Sequence, residues 1–317
     1  MQIVVLVNPA ASPERADIYR QLCEFNHPEL EIIVPQGSDY LQQATQMLRA
    51  GADALLVIGG DGTINDATQL LAGSDTKLLV VPAGTGNDFA KGMRIHHRTT
   101  AAQLMQGFKA LAAGDYQVQP LTALRLTART SSGKLVRRGW AVNSVNIGFD
   151  AQVNRRANSL QRLRGPLRYL AALLLEIPGF KAQRFNLSVA ASGALGEPAS
   201  VGFGWYQATL ICLQNGPFIG GGIPLAPQAA ATAATMWVSL VGKLPRLALL
   251  ALFPLLYLRG HRLIRPLEQW HGTAARVSVP PGVSIYVDGD AWLEDPPQQL
   301  ELEVTAVPEA LQLVRFS

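Results

Sequence analysis

Cysteine is scarce in this chain, with only Cys23 and Cys212, far apart and each in apolar surroundings. Two distant thiols make neither a disulfide framework nor a metal cluster, which points to a reducing compartment and hence the cytoplasm. The five histidines show no metal-ligand spacing, and the His96-His97 pair reads as a solvated loop. No block of consecutive Lys or Arg stands out, so a nucleic-acid arm is not expected. The start, MQIVVLVN, has no basic leader and no small-residue cleavage site, so no signal peptide is read. No GxxxxGK followed by Ser or Thr occurs, and GxGxxG is missing at the first strand–helix junction. The two commonest glycine-rich phosphate motifs are therefore excluded.

What the chain does have is enough apolar material for a core, 48% hydrophobic against 16% charged over 317 residues, and a mild formal charge of +4. That length suggests two domains. An anionic partner, either a phosphorylated cofactor or an acidic membrane, fits the charge, as does an ordinary basic surface.

The first third alternates short β-rich runs with helical ones. Strands are expected at Ile3–Val7, Glu31–Pro35, Ala54–Ile58 and Lys77–Val81, and helices at Glu14–Phe25, Tyr40–Ala50, Thr63–Leu71 and Ala101–Ala113. That order implies an α/β domain with a parallel sheet covered on both faces, over residues 1–121. From about residue 122 to 302 the pattern turns to alternating strands, which suggest an antiparallel β domain. Strands are expected at Leu124–Ala128, Trp140–Ser144, Phe185–Ala190, Tyr206–Gln214, Met236–Val241, Val283–Val287 and Leu300–Ala306, with helical insertions near 164–177 and 246–258. The tail, about 303–317, is expected to pack back on the first domain.

Two loops carry the chemistry. In the first, Gly59, Gly60, Asp61, Gly62 and Thr63 follow the third strand. Glycines permit close approach of a phosphate to backbone N–H groups, and a helix opening at Thr63 adds donors and partial positive charge. Read alone, the same residues also suit a tight turn with Asp61 as a cap. The second loop, PAGTGND at 82–88, follows the next strand and joins a hydroxyl (Thr85), an amide (Asn87) and a carboxylate (Asp88). It too suits a simple Asx-type turn. Two such loops on successive parallel strands lie side by side at the sheet's carboxyl edge, where α/β sheets bind ligands. There they can hold a polyphosphate and offer Asp61 and Asp88 to magnesium or to a hydroxyl nucleophile. A third turn, VDGD at 287–290 between strand-like runs, is a strong hairpin signal.

GGDGTIND, PAGTGNDFAKG, NSVNIGFDA (143–151), NGPFIGGG (215–222) and YVDGD (286–290), in that order, resemble the diacylglycerol-kinase catalytic-domain family. That family also includes sphingosine and ceramide kinases, and the resemblance spans nearly the whole chain. It implies a Rossmann-like nucleotide domain of the NAD-kinase type, a β-sandwich lipid domain, and phosphorylation of a lipid hydroxyl by ATP with magnesium. Carried over by position, it gives ATP contacts to Asn8, Pro9, Ala10, Ala11 and Ser12, to Gly59 through Thr63, to Ile64, Asn65 and Asp66, and to Thr85 and Asn87. It sets Asp61 near the phosphates and their metal, Asp88 near the acceptor hydroxyl, and Asp290 where the family's general base stands.

The chain departs from that family in three places. Asp290 stands where the family usually has Glu, retracting the carboxylate by roughly an ångström, a misplacement of an order that can cost about 10²-fold in rate. NPAAS (8–12) lacks the glycine of the family's NPxSG and is followed by Pro13. In 229–238, Thr232, Ala233 and Ala234 replace the ligands of a structural magnesium, and that site is expected to be absent.

Two apolar segments bear on membranes. LALLALFPLLYL (247–258) is 12 residues long and spans about 18 Å as a helix, against roughly 30 Å of bilayer core. It does not cross. With RYLAALLLEIP (168–178) and flanking arginines and lysines, it is read either as core-covering helices or as a basic-rimmed surface on the inner membrane face. Two other functions remain open at this point: an NAD kinase, which shares a GGDGT loop, and a catalytically inactive lipid- or nucleotide-binding protein. The acceptor lipid and the oligomeric state are not legible.

Overall fold

A computed structural model of the chain describes residues 1–7, 24, 29–34, 39–84, 86–95, 101–160, 163, 166–179, 181–191, 200–245, 248 and 267–315. Outside them lie the expected ATP contacts Asn8–Ser12 and Thr85, nearly all of the Glu14–Phe25 helix, and almost the whole 247–258 segment. The chain divides into two compact units, Met1–Leu121 with Glu309–Ser317, and Thr122–Pro308.

In the first unit, β1 (Gln2–Val7), β2 (Glu31–Ile33), β3 (Ala54–Gly59) and β4 (Lys77–Pro82) form a parallel sheet in the order β2-β1-β3-β4. The helices are α1 (Tyr40–Arg49), α2 (Asp61–Leu71), the short α3 (Asp88–Gly92) and α4 (Ala101–Ala113). Every residue of β3, ALLVIG, is buried, as a strand covered on both faces must be. Ile3, Val5, Leu56, Ile58, Leu79 and Phe108 anchor one core cluster. The last residues of the chain return to this unit. Gln312 and Leu313 pair in parallel with Lys77 and Leu78, and Arg315 donates to Met93 O at 2.8 Å.

One element differs from expectation in a way that matters. Helix α2 begins at Asp61, not at Thr63, because Gly60 is extended and caps it, and the N–H of Ile64 already bonds Gly60 O at 3.1 Å. Asp61 is thus the first helical residue, not the middle of a loop.

The second unit is antiparallel. Its strands are β5 (Gln117–Thr130, entering from the first unit), β6 (Leu135–Ala141), β7 (Ser144–Gly148), β8 (Gln183–Ala190), β9 (Ser200–Gln214) and β10 (Met236–Gly242). They continue with β11 (Leu267–Gly272), β12 (Ala274–Val279), β13 (Ile285–Val287), β14 (Asp290–Leu293) and β15 (Leu300–Arg315), the last running on into the first unit. Neighbours run in the order β14-β13-β7-β9-β8-β12-β15, with β10 on β9 and β11 on β10. Alternate residues of these strands, including Ile147, Phe185, Leu187, Ile211, Val277 and Leu302, close one apolar core.

Two helices, α5 (Phe149–Ser159) and α6 (Pro166–Glu176), pack through Phe149, Val153, Ala172 and Leu173 onto Leu210 and Cys212 of β9. Helix α5 was not expected. The expected strand Trp140–Ser144 is instead broken between β6 and β7 at Val142-Asn143.

Candidate active site

The first unit brings the two glycine loops into contact. Because β3 and β4 are neighbours in register, with Gly59 opposite Pro82, the chain leaves both strands at the same edge. Ala83 N–H donates to Gly59 O at 2.7 Å. A β-carbon on Gly84 would lie 2.5 Å from Gly60 Cα, so the loops touch backbone to backbone and side chains have no room. Gly59 is constrained from below, since a β-carbon there would lie 2.4 Å from Thr63 Oγ1.

Asn87 shapes the second loop. It sits in the left-handed region (φ 53°), accepts the Gly84 N–H at 2.8 Å and returns a bond from Nδ2 to Gly84 O at 2.7 Å. That conformation comes easily to asparagine and hardly at all to branched side chains.

Asp61 joins the loops, its Oδ1 accepting the Phe89 N–H at 3.2 Å at the start of α3. Asp88 is buried beside it in the chain's fold, with Lys91 Nζ at 3.8 Å from its Oδ1. Lys91 was not singled out in the sequence, although its three-residue spacing from Asp88 on a helix was a usable signal. Thr63 and Ile64 are buried, so they can offer a ligand only backbone. Asn65 and Asp66 lie one turn along α2, partly exposed, and burial raises the Asp66 carboxyl above its ordinary value.

The N–H groups of Asp61, Gly62 and Thr63 precede the first helical bond of α2 and have no helical acceptor. They form the positive end of an 11-residue helix, beside two loops from which side chains are excluded. An anion of phosphate type fits this arrangement. One carboxylate together with ligand phosphates is a usual setting for magnesium, and Asp61 has an oxygen, Oδ2, outside the Phe89 bond.

Burial pushes the Asp61 carboxyl above its ordinary 3.8, outweighing backbone N–H groups at Asp88 and Phe89, the Lys91 charge and the Asn87 N–H, all of which pull it down. Asp61 keeps some surface contact with solvent, yet the packed atoms around it strip most of its hydration. A raised carboxyl pKa means that the folded chain holds this proton more tightly than the unfolded chain. Stability is then lost as pH rises from 3.8 through the raised folded value, and the cost is complete above it. Asp61→Asn keeps an oxygen for the Phe89 N–H and is expected to melt above the parent at about pH 7, the gap closing toward about pH 4. Nucleotide-free thermal melts across that range check this, and a constant gap would remove burial as the cause.

In the second unit the remaining three motifs are tied to one another. Asp288 and Gly289 form the tight turn between β13 and β14, both with positive φ (51° and 93°), as a two-residue hairpin turn requires. The buried Asp288 carboxylate accepts three backbone N–H groups, from Val142 at 2.9 Å, Asn143 at 2.9 Å and Ser144 at 2.8 Å. It thereby fixes the break between β6 and β7. Asn143 passes the connection on, donating from Nδ2 to Phe218 O at 2.9 Å and accepting the Asn215 N–H at 2.8 Å. A β-carbon at Gly216 would lie 2.1 Å from Asn143 Oδ1, so any larger residue there would displace the Asn143 amide. Buried Asn215 bonds Thr122 O and Val142 O in turn.

Asp290 begins β14 and is exposed, one residue past the turn that Asp288 pins. Asn158, from the end of α5, donates to Gly289 O at 3.1 Å and holds the turn from its other side. Nearby, Tyr286 OH donates to Glu294 at 2.8 Å, and burial first, then that bond, raises the tyrosine well above its usual range.

The stretch around Thr232, Ala233 and Ala234 does not fit a divalent cation. Its carbonyls at Ala231 and Ala233 accept the Thr122 N–H and Oγ1–H, both at 2.7 Å, so protein donors occupy them. Among the described residues no group of three or more His, Cys, Asp or Glu is placed to hold a metal ion.

These motif loops match two family models. Residues 2–114 match the diacylglycerol kinase catalytic domain, and residues 143–315 the YegS C-terminal NAD kinase beta sandwich-like domain. The chain belongs to the diacylglycerol-kinase catalytic-domain family. A Mycobacterium tuberculosis protein named diacylglycerol kinase is 27% identical over 320 residues, covering 99% of this chain and 95% of that one. Two solved structures share the fold. A diacylglycerol kinase from Bacillus anthracis has a TM-score of 0.63 at 18% identity, over 98% of this chain and 96% of that one. Yeast NADH kinase complexed with NADH has a TM-score of 0.60 at 11% identity, over 99% and 82%. This chain thus shares its architecture, parallel strands first and an antiparallel sandwich after them, with yeast NADH kinase as well as with the diacylglycerol kinase from Bacillus anthracis.

Proposed function

We propose that this chain is an ATP-dependent, magnesium-requiring lipid kinase acting at the inner face of the membrane. The acceptor is a lipid with a free hydroxyl: a diacylglycerol, phosphatidylglycerol or a long-chain base. The observation that carries the reading is the contact of the Gly60 and Gly84 loops beside the N-terminus of α2, with Asp61 tied across them.

In that reading, ATP with its magnesium supplies the transferable phosphoryl group and the charge neutralisation that such a transfer requires. The backbone N–H groups of Asp61, Gly62 and Thr63 bind and orient phosphate oxygens. Asp61 would hold the metal through its carboxylate, and Asp88 would orient the acceptor hydroxyl. Asp290, exposed and carried on a turn fixed by three hydrogen bonds to Asp288, takes the hydroxyl proton. No residue forms a covalent link to the phosphoryl group; positioning and electrostatics carry the reaction. The Thr122-bonded stretch at 229–235 takes no structural metal.

Incubation with γ-labelled ATP and a total lipid extract tests this. Label in a lipid species is expected, and its mobility names the acceptor. The fold shared with yeast NADH kinase favours one rival reading, phosphorylation of a nicotinamide dinucleotide. Label in added NAD or NADH, with none in lipid, decides for it, whereas nucleotide binding without transfer to either leaves an inactive binding protein.

A further inference from the structure

Helix α6 has two apolar faces. Ala172 and Leu173 are buried against β9, while Leu167, Leu170, Leu174 and Leu175 point away from that core and are exposed, Leu167 to 66%. An exposed strip at spacing i, i+3, i+7, i+8 is an amphipathic pattern turned toward solvent, in addition to the one turned inward. Leu163, just before the helix, is exposed as well.

The same side of the unit carries a second patch. On β8 and β9, Phe185, Leu187, Tyr206 and Ala208 face the sandwich core. Their alternate neighbours Phe203, Trp205 and Arg184 therefore stand on the outer face. After the irregularity near Ala208, that outer face continues through Leu210 and Cys212, the residues on which α5 and α6 lie. Phe203 is 75% exposed and Trp205 56%, with the Arg184 guanidinium 4.7 Å from the Trp205 ring centroid.

The rim is cationic. Lys181 and Arg184 are exposed, and the acidic residue of α6, Glu176, is already paired with Arg156 at 2.6 Å. Exposed leucines, an aromatic pair and exposed cations on one face are complementary to an interface that is apolar beneath and anionic above.

We infer that the outer face formed by the α6 leucines and by Phe203, Trp205 and Arg184 docks this chain on an anionic phospholipid bilayer. This rests on the lipid-kinase reading for its purpose, but not for its physics. Among the described residues no helix is long and apolar enough to cross a membrane, so the contact is one that lies on the surface.

Sedimentation of the full chain with vesicles tests it. Binding is expected to phosphatidylcholine vesicles containing phosphatidylglycerol, and much less to phosphatidylcholine alone. Leu167→Glu with Leu174→Glu, and separately Phe203→Ala with Trp205→Ala, are each expected to weaken partition by about tenfold or more. Lys181→Glu is expected to weaken it by about fivefold and to reduce its salt sensitivity. Both double variants retain the parent rate on a lipid acceptor dispersed in detergent, which separates docking from chemistry and verifies folding. Binding of the leucine variant equal to the parent's overturns the docking face, whatever the kinase assay gives. So does a parent that ignores anionic vesicles, or a dimer lost on substitution while vesicle binding stays, which would make the face a contact between copies. Normal docking with no lipid labelled in detergent leaves the surface standing and removes the kinase reading instead.

Discussion

Gly84→Ala is expected to lower nucleotide affinity and phosphoryl transfer by about 10²-fold while leaving the second unit's stability unchanged. The new methyl would lie 2.5 Å from Gly60 Cα and 2.8 Å from Asn87 Oδ1. The first neighbour is backbone and cannot rotate away. The second is the atom that accepts the Gly84 N–H and shapes the loop. Relief therefore requires the two loops to part by a distance approaching an ångström. That motion pulls Phe89 from the Asp61 carboxylate and misaligns the amides at the start of α2. A phosphate site made of backbone donors has no side chain able to follow the ligand. Gly179→Ala is the matching control, because a β-carbon there meets nothing within 4 Å and its change in stability is expected within about 0.5 kcal/mol. Titration with nucleotide and thermal melts of both variants check the pair, and parent-like affinity in Gly84→Ala removes this loop contact from the site.

The collision between Gly60 and Gly84 also marks the limit of what the chain discloses locally. Short runs that are apolar apart from their first residue in Glu31–Pro35 and Lys77–Val81, with helices between them, were enough to read the parallel sheet, since strands covered on both faces lack polar alternation. The spacing of GGDGT and PAGTGND on successive strands put their loops at one edge. Their actual contact depends on register, with Gly59 opposite Pro82, which no single loop reveals. The start of α2 was read two residues late because Asp61 among glycines looks like loop, while extended Gly60 makes it the first helical residue. Helix α5 was overlooked because FDAQVNRRANS is mostly polar, although Phe149, Val153 and Ala157 recur every fourth residue and are all buried. The break at Val142-Asn143 had no local signal at all. It is imposed by the carboxylate of Asp288, 146 residues away from Val142 along the chain.

That distant carboxylate and its neighbour Asp290 belong to one four-residue turn, yet opposite effects are expected from changing them. Asp288→Ala leaves three N–H groups, at Val142, Asn143 and Ser144, without their acceptor in a buried site. Unsatisfied buried donors cost about 1–3 kcal/mol each and share relaxation, so a loss of about 3–5 kcal/mol is expected. For a unit of this size that lowers the melting temperature by about 10 °C. Asp288→Asn keeps one acceptor oxygen but turns an amide toward one of the donors, and it is expected to fall between parent and alanine variant. Asp290→Asn touches an exposed residue, so its stability is expected within about 0.5 kcal/mol of the parent. Its transfer rate, by contrast, is expected to drop by about 10²–10⁴-fold, the usual contribution of a general base. Denaturant titration and labelled-phosphate transfer on the three variants separate the two effects. Full transfer by Asp290→Asn removes it as the base. An Asp288→Ala chain as stable as the parent shows that the hairpin holds the β6–β7 break without its carboxylate.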